Sequence, residues 1–243
     1  MAHRGQQANL ANQLANLLAA RWRYAFSDSR GGADEYMAAA MRAIALQYKA
    51  SAALSRTFYR TSRSLATPGA PRFDVEIPPF SEESARISQV ATALKTLSDT
   101  GDLDKAMRAG VAAGVRTALA GGRRGILGSV ERDSVALGYF WQTRQDGKAP
   151  CHWCAMLASR GVVYKRESWP ETDPRPHGFL KVSAHDSCAC HLAPVWTRDQ
   201  GVEQFNRDMQ TAWQIVTKDA FGEEKLRVWR AWYSTRDAQQ VAS

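Results

Sequence analysis

Cysteine and histidine are concentrated in one part of this chain. All four cysteines and four of the five histidines lie between Trp141 and Trp196. A Cys-x-x-Cys pair, Cys151 and Cys154, comes first. About thirty residues later, a second cluster holds His185, Cys188, Cys190 and His191. A Cys-x-x-Cys turn directs two thiolates at one centre, which makes it a common half of a structural zinc site.

We therefore predict that this region binds one structural zinc ion. The preferred ligands are Cys151, Cys154, His185 and Cys190, and the first alternative is Cys188. Zinc takes four ligands in a structural site and prefers thiolate and imidazole groups to the nearby carboxylate of Asp186. The region has little apolar periodicity of its own, so metal binding would supply part of its folding free energy.

Three other uses of the cysteines stay open. A disulfide is disfavoured in a chain made in the cytosol. A redox pair of the thioredoxin type lies at the start of a helix after a strand, and no βαβ pattern surrounds this pair. Buried packing without metal is the third alternative.

Familiar enzyme motifs are absent from the sequence. It contains no H-E-x-x-H, no G-x-S-x-G and no phosphate-binding loop, and the glycine-rich stretch 121–125 matches no phosphate-binding fingerprint. Cys151 and His185 could be drawn as a nucleophile and its base, but a cysteine that binds metal is not available as a nucleophile. We therefore predict no catalytic residue and no small-molecule substrate.

The elements that position this region are mainly helical. The first helix is indicated by apolar residues at helical spacing, namely Leu10, Leu14, Leu17, Leu18 and Trp22. After a break at 27–32, a second helix carries Met37, Met41, Ile44 and Tyr48. We expect these two helices to form a hairpin.

Further helices are predicted after a proline-rich stretch at 66–80. One starts at Ser81, has the apolar face Ile87, Val90, Leu94 and Leu97, and ends at Gly101. The next runs from about 103 and stops at Gly121-Gly122, and a third spans about 126–139. Residues 161–164 read as a short strand. Two helices close the chain, marked by Val202, Phe205, Met209 and Trp213 and by Leu226, Trp229 and Tyr233.

The predicted fold is therefore mainly α, with an N-terminal helical hairpin, a helical bundle and a small irregular α+β Cys/His module at 141–196. We divide the chain into a basic helical region at 1–65, a linker or arm at 66–80, and a domain at 81–243 that holds the module and the C-terminal helices. No apolar run approaches the roughly 20 residues that a membrane-spanning helix needs, so we expect no membrane contact.

Positive charge is concentrated near the N-terminus. The net charge is +8, and residues 1–71 contain nine Lys and Arg against three Asp and Glu. A basic segment attracts polyanions such as DNA without reading sequence. We predict that these helices contact DNA or an acidic partner through Arg21, Arg23, Arg42, Arg56, Arg60 and Arg63. A solvated helical face is the alternative.

The order of residues around the cysteines resembles the MuF domain of phage head proteins. The resemblance rests on Trp141-Gln-Thr-Arg-Gln-Asp146, Pro150-Cys-His-Trp-Cys154, Gly161, His185-Asp-Ser-Cys188-Ala-Cys190 and Pro194-Val195, within residues 100–196. It implies a structural minor capsid protein that acts in head assembly, with the portal protein and other head proteins as partners, DNA as a further contact, and a place in the capsid interior or portal region of the virion.

Two other functions are kept open. Proteins of this kind in actinobacteriophages are often described as capsid maturation proteases, although the sequence contains no protease motif that supports this activity. A free-standing nucleic-acid-binding protein is the second alternative, because of the basic N-terminal helices.

Overall fold

The computed structural model describes residues 2–27, 32–143, 149–164 and 190–241. These residues form a mainly helical fold with a small three-stranded antiparallel sheet in the C-terminal half, which confirms the predicted fold class. The described residues group into two compact units. The helical unit contains residues 2–61 and 73–129. The sheet unit contains residues 62–72, 130–164 and 190–241.

The helices follow one another along most of the chain. They are α1 (Ala2–Ser27), α2 (Gly32–Ala66), α3 (Glu82–Gln89), α4 (Lys95–Thr100), α5 (Leu103–Arg132), α6 (His152–Ala158), α7 (Gln204–Val216) and α8 (Glu223–Val241). A π-helical segment, Val90–Leu94, joins α3 to α4. Residues 67–81 form no helix or strand. The predicted domain boundaries stay a prediction.

In the helical unit, α1 and α2 run antiparallel. Near the end of α1 and the start of α2, the ring of Trp22 packs edge-on against that of Tyr36, with their centroids 4.8 Å apart. At the opposite ends, the side chain of Gln7 donates to the carbonyl of Ser51 at 3.0 Å. The predicted hairpin is confirmed, and its buried stripe joins one core with residues of α3 to α5.

Helix α5 continues through Gly121-Gly122, so the predicted stop at this pair is wrong. A Cβ atom on Gly121 would lie 2.4 Å from the carbonyl oxygen of Tyr48, and one on Gly122 would lie 2.5 Å from Oγ of Ser55. The Gly122 amide donates to Oγ of Ser51 at 3.2 Å. Glycine costs a helix about 0.5–1 kcal/mol relative to alanine, but here it allows α5 to approach the backbone of α2 closely.

The predicted apolar face of α3 is also wrong in part. Ile87 and Val90 are 60% and 47% exposed, whereas Gln89 and Ala93 are buried. Gln89 accepts a hydrogen bond from the Tyr36 hydroxyl at 3.0 Å and donates to a carbonyl of α5 at 2.9 Å. A satisfied glutamine and small residues allow the close approach that bulky Ile and Val side chains would prevent.

The sheet unit is organised around β1 (Gly138–Gln142). It pairs with β2 (Val162–Tyr164) on one side and β3 (His191–Val195) on the other, both antiparallel. The predicted helix to residue 139 therefore ends earlier, because its last residues belong to a strand of aromatic side chains. Among the described strands, Pro194 lies on an edge strand, where a missing amide donor is tolerated.

One buried amide ties several elements of this unit together. The Nδ2 group of Asn206, on α7, donates to the carbonyl of Trp141 on β1 at 2.8 Å and to that of Ala158, at the end of α6, at 3.0 Å. Both acceptors are backbone groups that would otherwise need another donor. Asn206 thus fixes the position of α6, which carries the Cys-x-x-Cys pair.

Candidate functional site

The Cys-x-x-Cys pair forms the start of α6. Cys151 is its N-cap, and the Cys154 amide donates to Sγ of Cys151 with an N···S distance of 3.5 Å. No disulfide joins the described cysteines Cys151, Cys154 and Cys190 to one another. Cys151 therefore caps the helix that carries Cys154.

Helix α8 holds the backbone on both sides of Cys151. The indole Nε1 of Trp229 donates to the carbonyl of His152 at 2.7 Å, and the hydroxyl of Tyr233 donates to that of Pro150 at 2.7 Å. Both aromatic side chains are buried. Trp229 and Tyr233, whose spacing marks the last predicted helix, therefore also orient the cysteine turn.

The second cysteine cluster is described only in part. Cys190 and His191 are both buried. Cys190 lies just before β3, and His191 is the first residue of β3 and pairs in register with Gln142. His185 and Cys188 lie outside the described residues. Within the described ranges, no three His, Cys, Asp or Glu side chains are grouped so that they could hold a metal ion. Zinc stays a prediction, and a site at the Cys-x-x-Cys pair would need ligands beyond the described ones.

The remaining described residues of the MuF-like pattern are framework residues of the sheet unit. Trp141 is buried on β1 opposite Leu192. Gly161 follows α6 with φ of +62°, a left-handed conformation that favours glycine. Its amide donates to the carbonyl of Ala158 at 3.2 Å. Arg144 and Asp146 lie outside the described residues. The pattern thus specifies how strand, helix and turn meet.

An open groove lies between α6 and α8, next to the cysteine turn. Its volume is about 310 Å³, and it is lined by His152, Trp153, Met156, Leu226, Arg227, Trp229 and Arg230. Arg227 is held by Glu224, whereas Arg230 has no acidic partner among the described residues. The lining of the groove therefore combines apolar side chains with cations at the rim. The groove was not predicted, because its two walls are seventy residues apart in the sequence.

The predicted basic contact residues have different environments. Arg21, Arg23, Arg42 and Arg56 are exposed. Arg60 is exposed but pairs with Asp74 at 2.9 Å. Arg63 is buried, and its Nε and Nη2 atoms donate to the two carboxylate oxygens of Asp133 at 2.6 and 3.2 Å. Arg63 is therefore unsuited to contacting a partner, because its charge is neutralised inside the sheet unit.

A sequence model of the VG15 protein family matches residues 1–214. The chain belongs to this family. The VG15 family consists of phage proteins, so this is a phage protein. No curated protein and no solved structure matches the chain.

The VG15 match covers both units but not the whole groove. It includes α1 to α6, the three described strands and most of α7, and it covers every predicted metal ligand and basic contact residue. Helix α8 lies beyond the matched residues. The groove wall formed by Leu226 and Arg230 is therefore a feature of this chain that the VG15 match does not describe. No helix among the described residues is both long and apolar enough to cross a membrane.

Proposed function

We propose that this VG15-family protein is a structural minor capsid protein that acts in phage head assembly near the portal, within the virion. Membership of a phage family and the MuF-like order of residues support this role. The observation that carries the proposal is the burial of that pattern: Trp141, Cys154 and Cys190 are only 3%, 4% and 1% exposed. These side chains build the framework of the sheet unit.

This burial bears on the alternative function, a capsid maturation protease. A catalytic nucleophile has to reach the peptide bond of its substrate. Cys154 is buried on α6. Cys151, the cysteine that the sequence offers as a nucleophile, is half-buried and caps that helix. The side chains of Asn206, Trp229 and Tyr233 bond to backbone carbonyls on and around α6. A unit organised in this way is suited to presenting a fixed surface to other proteins.

The groove between α6 and α8 is the surface that we propose for the portal protein. Trp153, Met156 and Leu226 offer an apolar lining, and Arg230 at its rim attracts a carboxylate. Tryptophan and arginine are the residue types that contribute most to binding at protein interfaces. The expected occupant is a segment of the portal protein that combines an apolar side chain with an acidic one.

Isolation of procapsids from infected cells tests this assignment. We expect the protein to co-purify with portal-containing procapsids. The double variant Leu226→Asp and Arg230→Glu should lose most of this association, whereas Ile215→Asp with Lys218→Glu, at the exposed end of α7, should keep it. Procapsids that assemble normally and never contain the protein would refute the structural role.

Processing of the major capsid protein distinguishes the protease. If the role is structural, His185→Gln and Ser187→Ala should leave cleavage of the capsid protein intact. Loss of cleavage by either variant, with normal folding and normal incorporation into procapsids, would establish the protease function instead.

We further propose that the Cys-x-x-Cys pair holds a structural zinc ion. The hydrogen-bonded turn at Cys151 and Cys154 fits two of the four ligands, and His185 and Cys188, which lie outside the described residues, are the candidates for the other two. When bound, zinc would fix the loop before α6 to the segment before β3. Elemental analysis of protein purified without chelator should find one zinc per chain, and a value near zero would exclude the site.

A further inference from the structure

Helix α2 carries cations at a regular interval on its exposed side. Arg42, Lys49 and Arg56 are seven residues apart, and all three are exposed. Seven residues are almost two helical turns, so these side chains project from nearly the same side of the helix, with about 10.5 Å between successive positions. They form a basic stripe that extends about 21 Å along α2. Lys49 was not among the predicted contact residues, although its spacing was visible in the sequence.

The stripe is not neutralised by nearby acids. From Tyr36 to Ala66 the helix contains no Asp or Glu. None of the three stripe residues has an ion pair within the part of the chain that the structure describes. Other exposed cations do have one, such as Arg86 with Glu82 and Lys95 with Asp99. A helical surface that only has to stay hydrated usually mixes both signs, so this one-signed face calls for an acidic ligand.

The stripe fits a phosphate backbone better than an acidic helix. A partner helix needs a repeated seam of apolar residues beside the charged positions. Between Arg42 and Arg56, Leu46 is the one exposed large hydrophobic residue, and the described neighbours on this face are mainly alanine. Phosphate contacts need only cations at suitable spacing, and they do not depend on apolar contacts.

We propose that Arg42, Lys49 and Arg56 bind the phosphate backbone of double-stranded DNA without reading its sequence. This surface lies in the helical unit and is separate from the proposed docking groove, which belongs to the sheet unit. Its function does not require that the protein lie near the portal. The two proposals can therefore fail independently.

The test is DNA binding by the purified full-length protein at several salt concentrations. Fluorescence anisotropy with a labelled 30-base-pair duplex gives the affinity at each concentration. Three phosphate contacts contribute about 2.7 to the slope of log affinity against log salt. We expect Arg42→Gln, Lys49→Gln and Arg56→Gln together to reduce the slope by about this amount, and to weaken binding at low salt by at least tenfold.

A charge-matched control separates the stripe from net charge. Arg86→Gln, Lys95→Gln and Lys218→Gln together remove the same three charges, but from cations that pair with carboxylates and lie outside the groove. This control should change the slope by much less. Equal losses in the two triple variants, or no loss in the stripe variant, would overturn the proposal. Circular dichroism melting curves check that both variants fold like the wild type.

Two further outcomes would also overturn it. Backbone binding requires that a second duplex of unrelated sequence bind with similar affinity, so a preference above tenfold would contradict it. If the stripe variant kept its DNA affinity but lost a salt-sensitive association with an acidic head protein, the stripe would be a protein-binding surface instead.

Discussion

Cations that recur every seven residues along α2 are exposed in one unit and buried in the other. Arg42, Lys49 and Arg56 belong to the helical unit and are exposed, whereas Arg63, the next position at the same spacing, belongs to the sheet unit and is buried against Asp133. Each unit buries both kinds of polar group. The helical unit buries the neutral pair Tyr36 and Gln89 and the cation Arg123. The sheet unit buries Asn206 and the charged pair of Arg63 with Asp133. The burial of a residue on one helix is thus decided by what packs against it, not by its type or spacing.

The largest effect should come from breaking the buried pair. Arg63→Ala leaves Asp133 buried without its guanidinium, and removing one partner of such a pair costs about 3–5 kcal/mol. Arg60→Ala is the matched control. Arg60 lies on the same helix as Arg63 and makes an exposed pair with Asp74, and such pairs contribute about 0–1 kcal/mol. Urea denaturation measures both free energies of unfolding. Equal losses of unfolding free energy in the two variants would mean that the buried pair adds no stability beyond that of a surface pair.

A neutral buried histidine should make the helical unit sensitive to acid. Burial lowers the pKa of His3 from 6.5 to about 4, and its Nε2 lies 3.1 Å from Oγ of Ser55. The unfolded chain therefore binds a proton at higher pH than the folded protein does. Stability should fall as the pH drops from about 6.5 to about 4, by up to roughly 3 kcal/mol.

The measurement is the free energy of unfolding of wild type and His3→Gln between pH 7 and pH 4. Carboxylates titrate in both proteins, so the difference between them isolates the histidine. The wild type should lose more stability over this range. Parallel pH curves would show that His3 does not contribute to the acid sensitivity.

The glycines of α5 should respond oppositely to the same change. Gly121→Ala forces a methyl group against the Tyr48 carbonyl and should destabilise by about 1–3 kcal/mol. Gly125 lies in the same helix, and a Cβ added to it would meet no packed neighbour within 4 Å. Gly125→Ala should therefore stabilise the protein by about 0.5–1 kcal/mol. Thermal unfolding of the two variants gives the signs. If both changes stabilised, close packing of α2 against α5 would not explain why Gly121 is glycine.

Local features of the chain were predictable because they depend on residues close in sequence. The apolar spacing of Leu14, Leu18 and Trp22 indicated the face of α1 that is buried. Ser81 was predicted to start a helix, and its hydroxyl accepts the Ser84 amide at 3.1 Å. Gly101 was predicted to end one, and it lies at the C-cap of α4 with φ of +66°.

Features that depend on distant residues were not predictable from those patterns. The role of Arg63 depends on Asp133, seventy residues away. Gly121 reads as a helix stop unless the approach of α2 is known. Ile87 fits an apolar stripe, but the neighbouring Gln89 has its partners on α2 and α5 and therefore takes the buried face. In the candidate site, the cysteine turn was recognisable, whereas its support by α8 and the adjacent groove were not.

The smallest expected effect distinguishes two roles of Cys151. Ser81 and Cys151 make the same N-cap contact in the two units, each accepting the amide three residues later. Ser81→Ala should therefore cost about 1 kcal/mol. Cys151→Ser keeps a capping atom, so in chelator-treated protein it should cost less than Ser81→Ala does. In protein purified without chelator, the same change should lower bound zinc well below one per chain and destabilise more than it does after chelation. If Cys151→Ser has the same small effect with and without chelator, Cys151 is a helix cap and not a metal ligand.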